Sequence, residues 1–129
     1  MPRVSVAFFA LGAACVLIGM IWGMIMGASE DVLLAPAHAH LNLLGWVTMG
    51  LYGTFYALTR QTMSEKLAWA NFIVSGLGVL VLIPFLALFL KGSNDPRYIP
   101  ELVAGELLTV AGLVIFGVSV GRELLRKPA

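Results

Sequence analysis

The sequence predicts an all-α fold, a four-helix transmembrane bundle that forms a single integral membrane domain over residues 1–129. Hydrophobic residues make up 60% of the chain and charged residues 12%. The mean hydropathy is +0.94, a value that a water-soluble domain rarely reaches. Four apolar stretches each approach the roughly 20 residues that cross a bilayer. The lipid bilayer is therefore the first partner that the sequence predicts.

Short polar connections separate the four apolar stretches. The predicted spans are 4–26, 37–58, 67–90 and 100–120. Pro36 and Pro100 stand at the starts of the second and fourth spans, where the amide hydrogen that proline lacks would have no partner. Pro84 falls inside the third span, and we expect it to kink that helix. The first span is long and lacks a small-residue cleavage site, so we interpret it as a helix rather than a signal peptide.

The basic residues predict how the spans are oriented, because lysine and arginine beside a span resist translocation. Of the eight basic residues, only Lys91 and Arg97 fall on the side that we expect to be the outer one. The other six are Arg3, Arg60, Lys66, Arg122, Arg126 and Lys127. We therefore expect a multi-pass protein with both termini in the cytoplasm, in a bacterial inner membrane. The net charge of +1 gives no indication of a nucleic acid partner.

The only two histidines, His38 and His40, stand at the start of the second span. An imidazole within a span usually marks a function, because hydrocarbon offers no water to its nitrogen atoms. The alternative is a shallow position in which both rings bond to headgroups or loop carbonyls. Two positions apart on a regular helix correspond to about 200° of rotation. The two side chains are therefore expected to point to opposite sides and to need different partners.

Each of the two helix faces can hold a flat macrocycle. The His38 face continues through Asn42, Gly45, Met49, Tyr52 and Tyr56, and the His40 face through Leu43, Leu44, Val47, Leu51 and Thr54. A haem needs an axial imidazole, an apolar slot and small residues close to its ring. We predict b-type haem as the cofactor, with His40 or His38 as the iron ligand and Asn42 and Gly45 beside it. Copper is an alternative, with the sulfur atoms of Met20, Met24, Met26 and Met49 as soft donors.

The run His40-Leu41-Asn42-Leu43, with the later stretch from Gly50 to Tyr56, resembles the second transmembrane helix of the haem-copper oxidase and nitric oxide reductase large subunits. In that superfamily, this helix carries a histidine axial to the low-spin haem, at its outer end. The resemblance implies that His40 binds the iron. The chain has no histidine after residue 40, so the resemblance does not extend to a haem-copper centre for oxygen reduction.

The four-span layout, with the pair Ala37-His38 after the first outer loop, is similar to the styrene oxide isomerases. These small membrane enzymes bind b-type haem between the subunits of a homotrimer and use ferric iron as a Lewis acid on an epoxide. This resemblance implies His38 as the iron ligand. Three functions therefore remain open: electron transfer, gas binding or other haem chemistry; epoxide isomerisation; and a non-haem accessory subunit of a membrane complex.

Three polar residues elsewhere are further candidates. Glu106 is the only carboxylate well inside a span, and we expect a proton carrier, an acceptor that fixes a histidine tautomer, or a shallow hydrogen-bonding group. Arg97 is expected to pair with haem propionates, because its planar fork matches a carboxylate. Asn71 is expected to form a hydrogen bond between helices.

A stripe of small residues on the first span predicts self-association. Gly19, Gly23 and Gly27 recur every four residues, which lets helix backbones come close. A homo-oligomer, either a dimer or a trimer, is therefore expected, with the haem between subunits because four short helices cannot enclose a macrocycle. The alternative use of the same glycines is packing inside one bundle.

Overall fold

The computed structural model describes residues 1–127, in which the chain forms a bundle of four helices without strands. Helix α1 is Arg3–Ser29, α3 is Glu65–Lys91 and α4 is Ile99–Leu124, which follows a single 3-10 turn at Pro96–Tyr98. Helix α2 consists of three consecutive segments: Ala35–His40, the π-helical Leu41–Thr48, and Met49–Leu58. The predicted all-α bundle is confirmed. Residues 128 and 129 of the predicted domain lie outside the described residues.

Three helices are long and apolar enough to cross a membrane: Arg3–Ser29, Glu65–Lys91, and α4 with its preceding turn, Pro96–Leu124. Helix α2 covers a similar length, but the π-helical segment divides it. The chain is therefore an integral membrane protein. Pro36 and Pro100 lie in the first turns of α2 and α4, as their positions predict, and α3 continues through Pro84.

The helices alternate in direction, so the loops gather at the two ends of the bundle. A surface cavity at one end is lined by Trp22, Leu34 and Lys91, from the end of α1, the start of α2 and the end of α3. A second cavity at the opposite end brings Arg60 of the α2–α3 loop beside Arg126, after α4. The six basic residues that predict the cytoplasmic side therefore share one end of the bundle.

The π-helical segment keeps one face of α2 against α1. Residues on that face are buried at every fourth position: Ala37, Leu41, Gly45, Met49 and Gly53. In an α-helix, a repeat of four drifts by about 40° at each step, whereas the wider π-helical turn holds the repeat in line. The Thr48 hydroxyl donates to the carbonyl of Leu43, five residues earlier, over 2.9 Å. The prediction of a regular helix for this segment is therefore wrong.

Glycines allow α1 and α2 to pack at close range. A Cβ added at Gly45 would lie 2.6 Å from Cβ of Cys15, and one added at Gly12 would lie 3.3 Å from the carbonyl oxygen of Gly45. Two glycines of the predicted stripe serve the same contact, because Gly19 faces Asn42 and Gly23 faces His38. Packing inside the bundle therefore accounts for these two glycines.

A buried polar cluster joins α2, α3 and α4. The Tyr56 hydroxyl lies 3.1 Å from Oγ of Ser119 and accepts a hydrogen bond from Nδ2 of Asn71 over 3.2 Å. Ser75 Oγ donates to Oδ1 of Asn71 over 2.8 Å. Asn71 is fully buried and bonds across helices, which confirms the interhelical role expected for it.

Replacing Gly105 by alanine is expected to separate α3 from α4. Its new Cβ would lie 2.7 Å from both Cα and N of Leu82, so the helix backbones must move apart, at a cost of about 1–3 kcal/mol. The matched control on the same helix is Gly117→Ala, because Gly117 has open space around it. Thermal unfolding in detergent, followed by circular dichroism, measures both. Equal melting temperatures for the two variants would contradict the close α3–α4 contact.

The Tyr56→Phe substitution is expected to destabilise the bundle. It leaves the buried amide of Asn71 without its acceptor, and one interhelical hydrogen bond in a membrane protein contributes about 1 kcal/mol. Tyr52→Phe is the control, because the Tyr52 hydroxyl makes no hydrogen bond within residues 1–127, and we expect it to stay within about 0.5 kcal/mol of the wild type. Unfolding in detergent compares the two. A larger loss of stability for Tyr52→Phe than for Tyr56→Phe would contradict the assignment of this hydrogen bond to Tyr56.

Candidate functional site

The two histidines lie on opposite sides of α2. The His38 ring packs against α1, where a Cβ added at Gly23 would lie 3.0 Å from its Cε1 and Trp22 meets it edge-on with ring centroids 6.3 Å apart. His40 is exposed on the other side of the helix. The opposite orientation that the two-residue spacing predicts is therefore found, and the two rings have different surroundings.

His38 belongs to a polar pair enclosed between α1 and α2. Nδ2 of Asn42 lies 3.3 Å from its Nε2. His38 Nδ1 and Asn42 Oδ1 are buried without a hydrogen-bond partner within residues 1–127. Asn42 bonds within its own helix and fits there because Gly19 opposite has no side chain. The narrow space between these helices leaves no slot beside His38 for a macrocycle.

The outward-facing His40 has one ring nitrogen fixed and the other free. Its Nδ1 lies 2.7 Å from the carbonyl oxygen of Pro36. Because a carbonyl oxygen only accepts hydrogen bonds, Nδ1 carries the proton and donates it. In the neutral ring, Nε2 then keeps its lone pair. A histidine whose other nitrogen donates to a backbone carbonyl is the usual form in which proteins bind metals.

An exposed apolar surface lies on the outer side of α2, next to the face that carries His40. Leu43 is 59% exposed, Val47 46% and Leu51 63%. A regular helix would place these side chains in line with His40, but the π-helical turn aligns them with Ala39 instead. The apolar wall expected beside His40 therefore lies on the neighbouring side of the helix.

A cleft of about 230 Å³ opens between α2, α3 and α4, and we call it the α2–α4 cleft. Its aliphatic lining residues are Leu44, Met49, Val79, Val110 and Leu113. Its hydroxyl-bearing lining residues are Thr48, Tyr52, Ser75 and Thr109. Leu44, Thr48 and Tyr52 follow His40 at intervals of four residues, which the π-helical turn aligns. The cleft therefore lies on the His40 face of α2, further along the helix.

Glu106 lies on the outside of α4. It precedes Thr109 and Val110 by three and four residues, so it shares their stripe of the helix above the cleft. Its side chain is exposed and has no hydrogen bond or ion pair within the described part of the chain. Thr109 donates to its backbone carbonyl, not to its carboxylate. Within residues 1–127, the Glu106 carboxylate is therefore exposed and has no partner.

Arg97 pairs with its neighbour in the loop before α4. Its Nη2 lies 2.7 Å from Oδ2 of Asp95, and its Nε lies 2.9 Å from the same oxygen. The hydrogen bonds from the Arg97 side chain, and then that from its backbone amide, hold the pKa of Asp95 below its usual value. The guanidinium expected to bind haem propionates is therefore already paired with a carboxylate.

The structure does not bring the predicted site residues together in one place. His38, Asn42 and Gly45 face α1, His40 faces outward, and Arg97 lies in a loop. Within residues 1–127, no three side chains of His, Cys, Asp or Glu cluster as metal ligands. A haem needs only one or two protein ligands, so a single free imidazole is compatible with it.

The methionines of the copper alternative point in different directions. Met20 is 62% exposed and Met24 73% exposed on α1, whereas Met49 is 1% exposed in the core. Met26 is also buried. These sulfur atoms therefore do not converge on one histidine.

Fold and site together define a class: a four-helix membrane bundle with one polarised, outward-facing histidine above an apolar cleft. Comparison with known protein families, with curated proteins and with solved structures finds no match. Both family resemblances therefore remain predictions.

Replacing Arg97 by glutamine is expected to raise the pKa of Asp95 toward its usual value. The substitution removes the side-chain hydrogen bonds that lower this pKa and keeps the bond from the backbone amide, so the pKa should stay somewhat depressed. In the wild type, the pair's stabilisation is complete above the ordinary aspartate pKa and is lost as the pH falls through the lowered value. Carboxyl ¹³C NMR titration of both proteins measures the change. An unchanged Asp95 titration would contradict the pairing.

Proposed function

We propose that the protein binds one b-type haem per protomer through Nε2 of His40, in an interface between subunits of a homo-oligomer. The observation that carries the proposal is the hydrogen bond from His40 Nδ1 to the carbonyl of Pro36. This bond fixes the tautomer, orients the ring, and makes Nε2 a better electron donor. It leaves a ligand atom on the outside of the protomer.

The surroundings of His40 suit a macrocycle. A haem ring is mostly apolar, and the exposed side chains of Leu43, Val47 and Leu51 form an apolar surface on the side of α2 next to the His40 face. One protomer covers only one side of such a ring. The second side needs a partner, and another copy of the same chain is the simplest source.

His38 is a poorer candidate for the iron ligand. Its ring fills the space left by Gly23, and its Nε2 already lies within hydrogen-bond distance of Asn42. A haem on His38 would have to separate α1 from α2 where glycines hold them closest. The contacts of the two histidines therefore favour His40, which the oxidase resemblance implies, over His38, which the isomerase resemblance implies.

Glu106 supports the proposed oligomer. An ionisable side chain facing lipid is costly, and such groups usually face a protein interior or a water-filled cavity. His40 and Glu106 both lie on the outside of the protomer in the part of the membrane that we expect to be the outer half. A second subunit would cover both groups. The six basic residues at the opposite end favour cytoplasmic termini.

When bound, the haem would supply either reversible electron transfer or, with one axial position open, binding of a gas or of a substrate oxygen to iron. The α2–α4 cleft on the His40 face favours the second use, because it offers space for a small molecule. We therefore keep an enzyme with an open iron position as the alternative to an electron-transfer protein.

His40→Ala is expected to abolish haem binding, and His38→Ala is the matched control. Removing the imidazole should reduce the Soret absorption of the purified protein at least about tenfold, whereas removing His38 should leave the band position unchanged. In His40→Gly, added imidazole should restore the band, because it can fill the space of the lost ring. Oxidised and reduced spectra of all four proteins measure this.

Two results would contradict the proposal. The first is a colourless wild type that stays colourless when hemin is supplied, which would leave the accessory-subunit function. The second is a Soret band that survives in His40→Ala; if His38→Ala removes that band, the iron ligand is His38.

A further inference from the structure

The α2–α4 cleft has an aliphatic lining with four hydroxyl groups. Three of these hydroxyls already donate within the protein: Thr48 to the carbonyl of Leu43, Ser75 to Asn71, and Thr109 to the carbonyl of Glu106. Tyr52 is the fourth. Its side chain is 4% exposed, and its hydroxyl has no partner among residues 1–127. The cleft therefore offers one free hydrogen-bond donor.

A free donor in the middle of a membrane calls for a partner. Water is scarce there, so a hydroxyl that opens into the cleft finds a hydrogen-bond partner only in a molecule that enters it. The neighbouring Tyr56 hydroxyl differs, because it bonds both Asn71 and Ser119. Nothing in the packing requires a hydroxyl at position 52, since the ring alone makes the contact with Phe116, at 4.5 Å between centroids.

A lipid tail does not meet this need. Ser75 and Val79 of the cleft stand near the middle of α3, which is Glu65–Lys91. At that depth, the bilayer holds hydrocarbon, and the ester and phosphate oxygens of lipids lie nearer the surface. An acyl chain could fill the cleft but could not accept a hydrogen bond from Tyr52.

The volume limits the size of the part of the occupant that lies between the helices. An apolar cavity of about 150 Å³ accommodates benzene, so the 230 Å³ of the α2–α4 cleft accommodates one ring with a short substituent. The lining is aliphatic and the one free donor is Tyr52. The complementary molecule is therefore a single-ring apolar compound with one oxygen that accepts a hydrogen bond.

We infer that the α2–α4 cleft is a binding site for a small apolar molecule that carries one acceptor oxygen, of the carbonyl or ether type, and that Tyr52 donates a hydrogen bond to that oxygen. The molecule reaches the site from the bilayer, because the cleft opens between the helices. The inference rests on the Tyr52 hydroxyl and on the lining of the cleft, and it does not depend on haem binding by His40.

The test uses the methionine methyl groups of the protein in detergent micelles. Met49 lines the cleft, whereas Met20 and Met24 are exposed on α1 and report only on partition of a compound into the micelle. The protein carries ¹³C-labelled methionine methyl groups, and Met49→Leu assigns the Met49 signal. Two compounds of the same shape are titrated: cyclohexyl methyl ketone, and isopropenylcyclohexane, in which a methylene group replaces the ketone oxygen.

We expect the Met49 signal to shift saturably with the ketone, and the Met20 and Met24 signals to shift only linearly. The wild type should bind the ketone about 5- to 10-fold more tightly than the alkene, the effect of one neutral hydrogen bond. Tyr52→Phe should remove this preference by weakening ketone binding by the same factor. Leu113→Trp, which enlarges a partly exposed side chain that lines the cleft, should weaken the binding of both compounds.

Tyr56→Phe is the matched control, because it removes a hydroxyl from the neighbouring tyrosine that does not line the cleft. It should leave the preference for the ketone unchanged. A Met49 shift as linear as those of Met20 and Met24 would overturn the inference, as would equal binding of the two compounds to the wild type, or a preference that persists in Tyr52→Phe. Because the signal comes from Met49 and not from haem, these results are separate from those of the His40 test.

Discussion

The close contact between α1 and α2 determines the positions of the side chains in the candidate site. Glycines on both helices bring the backbones together, so that Gly45 meets Cys15 and Gly53 meets Phe8. Because these contacts recur at every fourth residue of α2, a regular helix would carry them away from α1 within a few turns. The π-helical segment Leu41–Thr48 removes this drift. A π-helix is an uncommon conformation that often lies beside a functional site.

The same segment determines which side chains share the His40 face. On a regular helix, Tyr52 would lie with His38 and Asn42, which is the grouping that the sequence predicts. With wider turns between residues 41 and 48, Tyr52 lies in line with His40 instead, and it lines the α2–α4 cleft. The local winding of one helix thus separates a closed polar pair facing α1 from an open face that carries a free imidazole and a free hydroxyl.

Much of the fold could be predicted from the sequence, because the bilayer imposes strong constraints. Helix bounds follow from the lengths of the apolar stretches, and Pro36 and Pro100 mark two helix starts correctly. The opposite orientation of His38 and His40 follows from their spacing. These features depend on local geometry alone.

The details of the candidate site depend on contacts that local patterns do not encode. Tyr52 and Tyr56 are both buried, at 4% and 0% exposure. The Tyr56 hydroxyl has partners from α3 and α4, whereas the Tyr52 hydroxyl has none among residues 1–127. The sequence predicts a haem propionate as the partner of Arg97, and the structure adds Asp95, two residues away, as a carboxylate already paired with it.

The exposed side chains of α4 differ in how well lipid can cover them. Leu107, Val110 and Leu113 are each more than half exposed, and Glu106 stands among them. Lipid can cover the aliphatic residues at no cost, because lipid tails are as apolar as leucine. It cannot cover a carboxylate or an imidazole in the same way. A protein partner would therefore stabilise Glu106 on α4 and His40 on α2 more than lipid does. A partner placed there would also close the side of the α2–α4 cleft, which would keep lipid tails from competing with a bound molecule for the space beside Tyr52.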